Sequence, residues 1–152
     1  GSHGLPISDI DLDGREEMLG TASKFAIELL RQNENGFFLM IEGSQIDWGG
    51  HDNNLAYVVT EMLDFDKVLG DVLAFAAEDG ETLVIVTADH ETGGLSITGG
   101  EIATGTVEGS FSTGGHTAIA VPVFAYGPGA EYFSGSYENT AIYNKMKALY
   151  NF

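Results

Sequence analysis

There is no cysteine in the 152 residues. That removes a disulfide framework and every thiolate metal site, and it leaves the redox compartment open. Basic residues are nearly as scarce, with 6 Lys plus Arg against 23 Asp plus Glu and a formal net charge of −17. A surface of that sign repels phosphate backbones and anionic lipid, which argues against nucleic acid or an anionic membrane as a partner. Long apolar runs are also missing; none approaches the roughly 20 residues that a membrane span needs. What is present is 43% hydrophobic and 11% aromatic content, the balance of a globular chain. The length suits one domain with a core of its own. Gly1-Ser2-His3 reads as an expression-tag remnant, so the single domain is taken as residues 4–152.

Residues 4–13 read as an acidic opening loop. Asp9, Asp11, Asp13 and Gly14 imitate the start of a calcium-binding EF-hand loop, but the twelfth position, where a bidentate acid is required, falls on Gly20. The simpler expectation is that Asp13 caps a helix. Met18, Leu19, Ala22, Phe25, Ala26, Leu29 and Leu30 then recur at three- and four-residue spacing and predict that helix over 15–32, with Arg15 and Arg31 exposed on it. The apolar run Phe37 to Ile41 predicts a strand. Leu55, Val58, Val59, Met62, Leu63, Val68, Leu69, Val72, Leu73 and Ala76 predict a long helix, stopped by Asp79-Gly80.

Thr82 to Thr87 is apolar on both faces, as a central parallel strand would be. Strand, long helix and strand together predict a right-handed βαβ unit. The Gly-, Thr- and Ser-rich stretch 93–115 reads as a hairpin or long loop, with short strands near 95–98 and 106–111. Ala118 to Tyr126 predicts a further strand whose start Pro122 pushes toward an edge or bulge, and a helix closes the chain near 139–149. The expected class is α/β, with a mainly parallel central sheet flanked by helices.

The chemistry concentrates at two strand ends. Phe37 to His51, FFLMIEGSQIDWGGH, runs an apolar strand into Glu42 and then a Gly-rich turn carrying Asp47 and His51. Further on, LVIVTADHETGG repeats the pattern with Asp89 and His90. An isolated histidine is more often a surface or satisfied core residue than a ligand. Outside the tag, however, His51, His90 and His116 all fall in turns beside glycine or an acid. Zinc takes imidazole nitrogens and carboxylate oxygens at about 2 Å, and Asp47, His51 and His116 would supply three. The adjacent Asp89 and His90 could aim at a second ion, giving the paired-metal clamp used for in-line phosphoryl displacement. Glu42 could hold a harder cation such as magnesium. Gly49-Gly50 and Gly114-Gly115 are expected to let the backbone turn sharply beside these ligands.

EGSQIDWGGH, VTADHETGG and STGGHT, in this order and at these separations, closely resemble the alkaline phosphatase family. MLDFDKVLGDVLAFA and VPVFAYGPGA look like the connecting helix and a late strand of its sandwich, so the resemblance covers nearly the whole chain from about Leu5. It implies that Asp47, His51 and His116 bind a first zinc, Asp89 and His90 a second, and Glu42 a magnesium. It also implies hydrolysis of phosphate monoesters through a phosphoserine, a periplasmic or extracellular location, and a partial sandwich prone to pair as a homodimer.

One part of the pattern has no counterpart. Ser44, Ser96 and Ser112 do not stand in the D-S-A context of the family's nucleophile, and neither arginine matches its phosphate-binding one. The resemblance therefore reads as the C-terminal part of such an enzyme, expected to be inactive alone. The phosphodiesterases, sulfatases and phosphoglycerate mutases share the D-x-x-x-H and D-H skeleton and form the alternative, as does a metal-binding module without catalysis. EGSQIDWGGH is more specific than that skeleton.

Overall fold

The computed structural model describes residues 6–7 and 15–150. The tag, the Asp9–Asp13 loop and the expected Asp13 cap lie outside the described residues. Helix α1 spans Met18–Leu30. It packs on a longer helix, Leu55–Asp79, through Ile27 and Val68, which are both buried. A Lys24–Asp71 ion pair at 2.9 Å rims that contact. Only part of the apolar face expected on α1 is covered: Met18, Phe25 and Leu29 are more than half exposed.

Arg15 is not the exposed helical residue expected of it. It precedes α1 with its side chain 7% accessible, 2.6 Å from Glu61 and 2.5 Å from Asp64, two acids buried on the long helix. Burial alone would lower the guanidinium pKa; the hydrogen bonds and charges of Asp64 and Glu61 more than offset this, so it stays above its ordinary value. Glu61 also accepts the Ile7 N–H at 2.7 Å. Arg31 is exposed as expected, beside Glu28 and over the Phe75 ring.

Between these helices the chain differs twice from expectation. Phe37 to Ile41 alternates half-buried and exposed residues as a strand would, with Phe37 against Phe75. It joins no ladder among the described residues. The expected Gly-rich turn after Glu42 is instead a two-turn helix, α2, Gln45–His51. The long helix, α3 from here on, begins at the Asn54 cap, whose side chain accepts from Tyr57 N, and ends at Gly80 with φ +74°.

Among the described residues six strands form three antiparallel pairs. β1 (Val84–Thr87) pairs with β6 (Val123–Tyr126); β2 (Glu91–Thr92) with β5 (His116–Thr117); and β3 (Ser96–Glu101) with β4 (Thr106–Ser110) as the hairpin expected within 93–115. The α/β class holds, but the mainly parallel sheet does not appear in these ladders. Phe37 to Ile41 forms no ladder with β1 among the described residues, so the expected βαβ unit is not closed by hydrogen bonds, and β1 pairs with β6 instead. Pro122 delays the start of the strand expected over 118–126, so only its last four residues pair. A terminal helix, α4 (Ala141–Tyr150), folds back so that the Tyr150 hydroxyl donates to Phe37 O.

Candidate metal centre

Helix α2 delivers two of the groups. Asp47 lies in its first turn and His51 is its last residue, one turn apart on the same face. The glycines between them serve contact, not turning. A Cβ on Gly50 would stand 2.8 Å from Thr92 O, and one on Gly49 3.0 Å from the Val58 backbone nitrogen. Only glycine lets the helix lie this close to both β2 and α3.

The third group arrives through the β2–β5 ladder, which sets His116 opposite Thr92. The loop before it is tied down on both sides. Gly93 N–H donates to Gly115 O at 2.9 Å, and Ser112 and Thr113 N–H donate to Gly93 O. Asn53, just past α2 at φ +51°, donates its amide to Gly50 O at 3.1 Å and Thr113 O at 2.7 Å when the nitrogen faces those carbonyls. His51 Nδ1 lies 2.8 Å from Gly114 O.

Ligand atoms of Asp47, His51 and His116 all fall within 4.8 Å of one another. His51 Nε2 and His116 Nε2 are 3.2 Å apart, and Asp47 oxygens stand 3.4 Å and 3.8 Å from them. Because the Gly114 carbonyl can only accept, the neutral form of His51 carries its proton on Nδ1 and turns a bare Nε2 lone pair into the group. That lone pair can accept from a His116 Nε2–H, 3.2 Å away, or be shared with His116 and Asp47 by a cation. Two nitrogens on a tetrahedral zinc at about 2.05 Å would be roughly 3.3 Å apart, so spacing and donor set both fit zinc.

A second pair adjoins the first. His90 Nε2 lies 3.1 Å from Asp89 Oδ2, and the His90 ring stacks on that of His116 with centroids 3.5 Å apart. Asp89 is 83% exposed and open to a further ligand. Glu42 is exposed, and no hydrogen bond or ion pair among the described residues joins it to the cluster.

Two residues absent from the sequence reading belong to this framework. Glu91 accepts from Thr117 Oγ1 and from the Gly94 and Leu95 N–H groups at 3.1 Å and 3.0 Å. Burial opposes its charge, yet these bonds outweigh it and hold the carboxyl below its usual pKa. Thr92 donates to Asp47 Oδ1 from the opposite face of the two-residue strand. The signal was legible in D-H-E-T, since alternate residues of a strand share a face and put Thr92 beside His90.

A sequence model of the alkaline phosphatases matches residues 8–110 and 106–152. The chain belongs to the alkaline phosphatase family. It is 33% identical to alkaline phosphatase 3 of Bacillus subtilis over 91% of this chain and 45% of that one. The alkaline phosphatase of the Antarctic bacterium TAB5 superposes with a TM-score of 0.84 at 47% identity, over 94% of this chain and 44% of that one. A mutant of the TAB5 phosphatase, solved with Mg bound in its M3 site, gives 0.85 at 45% identity over 95% and 44%. The chain thus spans less than half the length of these three alkaline phosphatases.

Proposed function

We propose that this chain is the metal-holding part of a phosphate monoester hydrolase. In this reading Asp47, His51 and His116 hold one zinc, Asp89 and His90 contribute to a second, and Glu42 serves a magnesium site. The convergence of one carboxylate and two imidazoles within 4.8 Å carries the reading. Family membership supports the phosphatase chemistry, and the Mg in the TAB5 mutant supports a divalent cation. Such ions supply positive charge for the attacking and leaving oxygens of a phosphate ester.

The residues of this chain do the rest. His51 is held to one tautomer by Gly114 O, and Asp47 is fixed by Thr92. The open face beside Asp89 leaves room for a substrate oxygen. None of Ser44, Ser96 and Ser112 stands in the D-S-A context of the family's nucleophile, so the 152-residue chain alone is read as binding metal without turnover. A periplasmic or extracellular setting accompanies the reading; among the described residues no helix is long and apolar enough to cross a membrane.

Zinc titration by calorimetry tests this. One tight site is expected, lost in His51→Ala and in His116→Ala, while hydrolysis of a chromogenic phosphate ester stays at background. Absence of zinc binding at micromolar concentrations would overturn the assignment, and metal-dependent turnover would overturn the inactivity.

A further inference from the structure

Thr92 touches both halves of the cluster. Its Oγ1 donates to Asp47 Oδ1 and lies 3.2 Å from His90 Nδ1. A threonine hydroxyl has one proton and two lone pairs, whereas an ionised carboxylate only accepts. The proton therefore goes to Asp47, and only lone pairs remain toward His90. For the second contact to be a hydrogen bond, His90 must carry its own proton on Nδ1. That leaves His90 Nε2 bare, the atom 3.1 Å from Asp89 Oδ2.

We propose that Thr92 is a positioning residue shared by the two metal clusters: one hydroxyl orients the Asp47 carboxylate and fixes the tautomer of His90. The inference rests on the metal-site reading above, in which Thr92 already holds Asp47, and adds its hold on His90. The fold is built to keep Thr92 there. Gly50 lets β2 approach to where a Cβ would lie 3.1 Å from Thr92 Cβ, and the ladder holds Thr92 opposite His116. Asp47 and His90 are thus coupled without touching, and occupation of one cluster bears on the other through a single proton.

Imidazole nitrogen NMR on the metal-free protein at about pH 8.5, above the ordinary histidine range, reads the tautomer directly. His90 is expected as the Nδ1–H form, becoming a mixture in Thr92→Val and returning in Thr92→Ser. Zinc affinity should fall about 10- to 100-fold in the valine variant, as for other groups that orient ligands, and stay within a few-fold of wild type in the serine variant. An Nε2–H tautomer in the wild type overturns the proposal with no variant needed. So does a valine variant with unchanged tautomer and unchanged zinc affinity. If the wild type binds no zinc, the metal-site reading fails, and the metal-free spectrum still decides the role of Thr92.

Discussion

A methyl group at position 50 would have nowhere to go. It would stand 2.8 Å from a backbone oxygen, Thr92 O, which cannot swing aside as a side-chain end could. Alanine is the better helix former by about 0.8–1 kcal/mol, and α2 would gain that. Overpacking against backbone costs about 1–3 kcal/mol and wins. Gly50→Ala is therefore expected to destabilise the metal-free protein by about 1–2 kcal/mol in urea denaturation and to weaken zinc binding by moving Thr92 off Asp47. A neutral or stabilising effect would mean that β2 does not lie this close to α2. Asn53 makes the same point from the other end of the helix, holding a left-handed backbone that its amide bonds to the His116 loop help to fix.

At the scale of elements, α1 and the chain before it are pinned to α3 by charge as much as by apolar contact. Removing the guanidinium in Arg15→Ala would leave Glu61 and Asp64, 1% and 4% accessible, buried without that counter-ion. A loss of about 3–5 kcal/mol is expected in denaturant unfolding. A loss below about 1 kcal/mol would show that water reaches these acids. The sequence concealed this arrangement because an arginine next to a predicted helix reads as solvated until its partners, 46 and 49 residues away, are folded beside it. Where the pattern was local it was readable. The ten-position periodicity of α3 and its Asp79-Gly80 stop gave the element to within a residue. The α2 helix was hidden by its own glycines, which mark close packing at this site and a turn elsewhere. Strand pairing was hidden for a different reason: a strand is defined by its neighbour, and nothing in Phe37 to Ile41 names one. That Asp47, His51 and His116 would come together was legible from acids and histidines recurring beside glycine, although the turn expected for the first two is a helix.

Across the whole molecule, apolar side chains remain on the surface in strand-like alternation. Phe38 and Met40 are 63% and 74% exposed between half-buried neighbours, and Phe124 and Tyr126 on β6 are 64% and 47% exposed. A face of this kind is uncommon on a chain that stays alone in water. Self-association is expected, with the mass from light scattering rising above 16.2 kDa toward twice that value as concentration increases. A constant monomer mass at high concentration would contradict it. The central claim is narrower, that Asp47, His51 and His116 form one zinc site. Crystals grown with zinc and measured on both sides of its absorption edge test it most directly. An anomalous peak is expected about 2.0–2.1 Å from His51 Nε2 and His116 Nε2 and about 2.0–2.2 Å from an Asp47 oxygen. Zinc bound elsewhere on the chain, with these three side chains left free, would contradict it.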